Sequence, residues 1–120
     1  MKIAVTATGT GLDAPVDARF GRAAYILVVD VDTLAVDVID NDANVNAFKG
    51  AGIQAASSVS QKGASVLLTG YCGPNAFKTL SAAEIKIIQN VTGTVREAVA
   101  LFKSGKLEYS DAPNAEAQGM

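Results

Sequence analysis

The apolar residues of this chain fall into short runs separated by glycine-rich or polar punctuation, and the spacing inside each run indicates an element. Lys2–Ala7 (KIAVTA) is a β-branched run closed by Thr8, Gly9, Thr10 and Gly11, which predicts a first strand feeding a tight turn. Residues 12–22 (LDAPVDARFGR) contain Pro15 and Gly21 and carry no helical period, so they read as a long functional loop. Residues 25–32 (YILVVDVD) and 34–41 (LAVDVIDN) predict two strands joined by a short Asp-Thr turn. The second alternates apolar and polar positions, as expected of a hairpin strand at a sheet edge with one wet face.

Beyond a polar, irregular stretch at 41–50, residues 51–62 (AGIQAASSVSQK) place Ile53, Ala56, Ser57 and Ser60 on one face of a weakly amphipathic helix, with Gly63 as its stop. Residues 65–69 (SVLLT) lack polar alternation and suit a strand covered on both faces. Pro74 fits a first helical position, where its missing N–H costs nothing, and opens a short helix to about Ala83. Residues 84–89 (EIKIIQ) predict another strand. Residues 94–104 then place Val95, Ala98, Val99 and Phe102 at i, i+3, i+4 and i+7 behind a Thr94/Glu97 capping box, with Gly105 ending the helix.

The order β, β-hairpin, α, β, α, β, α predicts one α/β domain. Strands one, four and five form a parallel core, the hairpin extends one edge, and three helices pack on the faces of a mixed five-stranded sheet. Residues 1–107 make up that domain, and 108–120 read as a flexible C-terminal tail. Ligands of such sheets settle outside the carboxyl ends of the strands. Three turns converge there, at 8–11, 70–73 and 90–93, and the helix starting near Gly50 and Gly52 adds its N-terminus.

Composition narrows the chemistry. The 120 residues include no histidine, which removes the commonest general base and the usual zinc or copper imidazole. The longest apolar run is far short of the roughly 20 residues a membrane span needs, and residues 3–7 are too few for a secretory core. The reading is therefore a cytoplasmic protein without a membrane contact. A formal charge of −2 gives no bulk attraction to nucleic acid. The charges segregate, however: residues 1–42 hold three basic and seven acidic side chains, and residues 43–104 hold six and two.

Four constellations carry candidate chemistry. Gly9, Gly11 and Ala14 match the dinucleotide fingerprint G-x-G-x-x-A, but Pro15 biases Ala14 away from the helix that this fingerprint requires. Arg19, Phe20, Gly21 and Arg22 bracket an apolar side chain and a glycine with two guanidiniums, an arrangement suited to an anion. The alternative is that both arginines pair with Asp13 and Asp17 in the same loop. Lys49, Gly50, Gly52 and Gly73 stand where helices begin and add a cation and backbone N–H donors. Cys72 lies beside a helix start that favours thiolate, and it reads as a single bond to a metal cluster, a redox thiol or a small buried residue. Asp30, Asp32, Asp37, Asp40 and Asp42 crowd the hairpin, as a magnesium site or as the charged wet side of a sheet edge.

Four segments, 11–22 (GLDAPVDARFGR), 50–55 (GAGIQA), 70–76 (GYCGPNA) and 93–98 (GTVREA), together resemble the dinitrogenase iron-molybdenum cofactor biosynthesis and carrier family over about residues 1–107. The resemblance implies a ribonuclease-H-like fold and no established catalytic activity. It is greatest to a branch that carries a mixed molybdenum-copper sulfide cluster, so the implied function is non-covalent binding and carriage or storage of a preformed anionic cluster. An iron-molybdenum cofactor precursor is the alternative cargo. The implied partners are Min/Par-type ATPases or cluster-acceptor proteins, with the chain a monomer or weak dimer. Several family members carry a histidine within the loop at 15–22, and this chain has none. The remaining contacts are Arg19, Arg22, backbone N–H groups, apolar surface from Phe20 or Tyr71, and at most the Cys72 thiolate. A small-anion or nucleotide module and an ATPase interaction subunit are the other readings.

Overall fold

The computed structural model describes residues 1–41 and 51–113. Five strands alternate with three helices: β1 (Lys2–Ala7), β2 (Tyr25–Asp30), β3 (Val36–Asp40), α1 (Ala51–Gln61), β4 (Val66–Leu68), α2 (Pro74–Ala82), β5 (Lys86–Ile88) and α3 (Val95–Lys103). They form one mixed sheet in the order β3-β2-β1-β4-β5. β1, β4 and β5 are parallel, with Ile3 opposite Val66 and Val66 opposite Lys86, while β2 runs antiparallel to both β1 and β3. The hairpin thus extends one edge of a parallel core, as its sequence predicts.

Strand periodicity divides the core between two faces. Ala4, Ile26, Val28, Leu67 and Ile87 point to the face covered by Ala55, Ala56 and Val59 of α1 and by Ala76 and Leu80 of α2. Their neighbours Ile3, Val5, Leu27, Val29, Val66 and Leu68 meet Val95, Ala98 and Val99 of α3 on the other. The capping box of α3 forms as expected: Thr94 Oγ1 accepts from Glu97 N at 3.1 Å, and the Glu97 carboxylate accepts from Thr94 N at 2.9 Å.

The buried face of α1 differs from the expected one. Ala55, Ala56 and Val59 are inside, whereas Ile53 is 44% exposed and Ser57 and Ser60 face solvent. The close approach of α1 to α2 decides this. A Cβ on Gly52 would lie 3.0 Å from the Ala76 Cβ, so the small-residue side of the helix must face its neighbour. Gly63, at φ +81°, ends α1 in the left-handed region that a side chain disfavours.

Residues 110–112 bond to the end of β5. Ser110 N donates to Ile87 O at 2.7 Å, Gln89 N donates to Ser110 Oγ at 3.2 Å, and Gln89 Nε2 donates to Ala112 O at 2.8 Å. These bonds satisfy part of the open edge of β5, which explains why a segment with so little apolar content is held. At the hairpin, Asp30 Oδ1 accepts from the N–H groups of Asp32 and Thr33, which lowers its pKa. Asp37 pairs with Lys62 at 3.2 Å and Asp32 with the N-terminal ammonium at 3.8 Å. The described hairpin acids therefore organise a turn and a charged edge, and Asp42 lies outside the described residues. No described helix is long and apolar enough to cross a membrane.

Candidate functional site

The loop between β1 and β2 is folded across the carboxyl ends of the parallel strands. Thr8 N donates to Pro15 O (3.0 Å) and Val16 N to Gly93 O (2.8 Å), and single bridges join Ala7 to Val16, Pro15 to Thr94 and Arg19 to Tyr71. The turns after β1, β4 and β5 meet beneath this strap, as the topology predicts. Close backbone contact is built in at Gly70, where a Cβ would stand 2.6 Å from Ala18 O. The same crossing carries the bond from Tyr71 N to Ala18 O and its return from Phe20 N to Tyr71 O (3.1 Å).

The three helix starts do not offer equal donors. In α3 the first N–H groups are already engaged: Val95 N donates to Ala14 O at 2.9 Å, Arg96 N to Leu12 O at 2.7 Å, and the capping box takes Glu97 N. The same bonds dispose of the dinucleotide fingerprint, because the turn at 9–14 presents carbonyls to a distant helix and starts none of its own. At α2, Gly73 is the N-cap and supplies no side-chain cap, and Pro74 follows it. The first helical donor there is Phe77 N, which bonds Gly73 O at 2.9 Å, so Asn75 and Ala76 precede it without a backbone acceptor among the described residues, as is typical of a helix N-terminus. The residues leading into α1 lie outside the described set, Lys49 and Gly50 among them.

Arg19 and Arg22 are both exposed on the strap. The pairing proposed for Asp13 goes elsewhere: its carboxylate binds Arg96 Nε at 2.9 Å, and this neighbour lowers the pKa of Asp13 and raises that of Arg96. Asp17 Oδ1 accepts from the backbone N–H of Arg19 at 3.2 Å. Phe20 is a plug, only 2% exposed and packed in the cluster of Ala4, Ile26 and Cys72. It anchors the strap between the two arginines, where the sequence suggested a ligand contact. Tyr71 is 38% exposed and is the apolar surface that remains available. Gly21 and Gly73 are half-buried, and Gly52 serves the α1–α2 contact.

Cys72 is fully buried, with Sγ 3.7 Å from Gly73 O. Burial pushes its thiol up to about 12, so desolvation outweighs any help from the nearby helix start, and the side chain is a protonated part of the core. Among the described residues no three or more of His, Cys, Asp and Glu cluster in a way that could hold a metal ion.

The residues that sequence reasoning missed are buried and polar. Thr6 and Thr69 hydrogen-bond each other at 2.9 Å beneath the strap, and Thr6 also holds the Asp17 carbonyl at 2.7 Å. Asn41 is buried just past β3, and its Nδ2 donates to Ala23 O at 2.8 Å and to Gly21 O at 3.4 Å. A hydroxyl at an inward position of the apolar run KIAVTA was the available signal for Thr6.

Three comparisons place this geometry among known proteins. A family model described as dinitrogenase iron-molybdenum cofactor matches residues 1–105. The structure resembles the apo form of the orange protein from Desulfovibrio gigas, with a TM-score of 0.92 and 50% identity over 95% of this chain and 96% of that one. It also resembles a Thermotoga protein named for NifB, with a TM-score of 0.77 and 34% identity over 90% and 91% of the two chains. An uncharacterised protein of Methanocaldococcus jannaschii is 27% identical over 93 residues, 75% of this chain and 78% of its own length. With the segments 11–22, 70–76 and 93–98 gathered on the strap and the turns below it, the chain belongs to the dinitrogenase iron-molybdenum cofactor family.

Proposed function

We propose that the carboxyl edge of the sheet binds and carries a preformed anionic molybdenum-copper sulfide cluster, without catalysing a reaction on it. One observation carries the reading. Two exposed arginines and an uncapped helix start adjoin the same strap, yet the described residues contain no group of side chains able to replace a metal's ligands. Such a site suits a cargo whose sulfides already satisfy its metals, leaving the protein to supply charge, hydrogen-bond donors and shape. Arg19 and Arg22 provide the charge, the start of α2 provides N–H donors, and Tyr71 offers an aromatic face. The buried, protonated Cys72 supports carriage without a protein-metal bond.

The likeness to the orange protein supports the molybdenum-copper cargo, and the family match favours an iron-molybdenum cofactor precursor as the second candidate. The order β3-β2-β1-β4-β5 with β2 antiparallel supports the ribonuclease-H-like assignment. The test is to add tetrathiomolybdate and copper to apo protein and follow metal content after gel filtration together with visible charge-transfer bands. Stoichiometric metal with new bands is expected, and neither should survive at full strength in an Arg19→Gln/Arg22→Gln protein. Absence of both signals in the unaltered chain refutes the reading.

A further inference from the structure

The buried polar side chains below the strap act on its backbone and leave its charged side chains outside. Thr6 grips Asp17 twice: its backbone carbonyl accepts from Asp17 N at 2.9 Å and its Oγ1 donates to Asp17 O at 2.7 Å. A hydroxyl has one proton, so with Thr6 donating to Asp17, the 2.9 Å contact between the two threonines is made with Thr69 as donor. The result is a directed relay from Thr69, at the end of β4, through Thr6 of β1 to the strap. At the other end of the segment, Asn41 Nδ2 holds Ala23 O and Gly21 O, and Asn41 N donates to Ala24 O at 3.1 Å.

Between these anchors Phe20 is buried in the core, and Ala18 and Phe20 exchange backbone bonds with Tyr71. Six of the eight residues of the segment 17–24, namely Asp17, Ala18, Phe20, Gly21, Ala23 and Ala24, are thus held by these contacts. Arg19 and Arg22 each stand between held pairs of residues, and both side chains are exposed. No buried side-chain nitrogen or oxygen among the described residues lacks a partner, so these contacts are complete. A floppy segment would need to order both arginines at the moment of binding, whereas a segment held this way has met that cost on folding.

We infer that Thr6, Thr69 and Asn41 are positioning residues that fix the strap so that Arg19 and Arg22 meet an anionic ligand together. The inference rests on the proposed anion site and goes beyond it by assigning affinity to three side chains that never touch the ligand.

The test is a double-mutant cycle read as affinity for tetrathiomolybdate with copper, with a thermal melt of every protein to identify the folded fraction. Thr6→Val keeps the shape and removes the hydroxyl. It should weaken binding about tenfold, because the hydroxyl's bond to the Asp17 carbonyl and its bond from Thr69 are both lost, and Thr6→Ser should restore it. The decisive readout is the Arg19→Gln/Arg22→Gln background, where Thr6→Val should have little further effect because the residues it acts through are already absent. If Thr6→Val does not fold, Thr69→Val removes only the far donor of the relay, and the same cycle is run with it. Unchanged affinity in the valine variant, or equal losses in both arginine backgrounds, overturns the inference while leaving the anion site intact. Failure of the unaltered protein to bind overturns the site and the inference together.

Discussion

Gly70→Ala is the substitution whose consequence the structure states most directly. The added methyl would lie 2.6 Å from Ala18 O, 2.8 Å from Ala18 Cα and 3.1 Å from Ala18 C, where ordinary contact begins near 3.4 Å. All three atoms are backbone, so no side chain can rotate away, and relief requires the strap to lift by most of an ångström. Lifting it weakens the paired bonds between Tyr71 and the backbone of Ala18 and Phe20. Overpacking of this kind costs about 1–3 kcal/mol, and two weakened hydrogen bonds add roughly 1 kcal/mol each. The reduced freedom of the unfolded chain returns about 0.4–1 kcal/mol. The expected net loss is about 2–5 kcal/mol, a large part of the roughly 5–15 kcal/mol that holds a domain of this kind folded. Urea unfolding followed by circular dichroism measures it directly, with an unchanged slope showing that the transition remains comparable. Binding of tetrathiomolybdate by the folded fraction should fall as well, because Arg19 moves with the strap. An unfolding free energy within about 0.5 kcal/mol of the parent would refute the crossing geometry at Gly70.

Three further outcomes follow from single contacts. Thr94→Ala removes the hydroxyl half of the α3 capping box and should cost about 1 kcal/mol in thermal or urea unfolding; no loss would mean the box adds nothing to the bonds from Val95 and Arg96 to the strap. Cys72 has a folded-state pKa near 12, above the ordinary thiol value of 9.0, so the folded state retains a proton that the unfolded chain releases. Its contribution is complete below about pH 9 and is lost as pH rises toward 12: unfolding free energy should fall more steeply over that window in the parent than in Cys72→Ala, and parallel curves would contradict the burial argument. Asp13, its pKa lowered by Arg96, contributes stability that is present above the unfolded carboxylate value and is lost on acidification. In Arg96→Gln its NMR titration should move up toward the ordinary range, and an unmoved titration would show that the ion pair is not formed in solution.

How much of the site could be read from the chain differs residue by residue. The strap was visible as a stretch without helical period, and its arginines as an anion motif, because both are local properties of residues 12–22. Phe20 was misread because a single aromatic residue in a loop carries no sign of which way it points. Only the cluster of Ala4, Ile26 and Cys72 beneath it makes it an anchor. For Cys72 the sequence leaves a cluster bond, a redox thiol and a small buried residue open, and the structure decides for the last because the neighbours that desolvate it come from β1, the strap and the helices. The sequence offers Asp13 a partner only as an alternative, among the arginines of its own loop, whereas its partner Arg96 stands 83 residues away.

The sequence by itself determined the order and kind of the elements, the hairpin edge, the parallel core and the capped start of α3, because hydrophobic period, turn residues and caps act over a few neighbouring positions. The tertiary structure alone decided which face of α1 is buried, that Ser110 and Ala112 bond to the end of β5, and that the donors of α3 are spent while the start of α2 has no side-chain cap. It also decided that the arginine strap is held by Thr6, Thr69 and Asn41. Each of these depends on hydrogen bonds or close packing between residues far apart in the chain, and such partners are specified only once the sheet has brought them together.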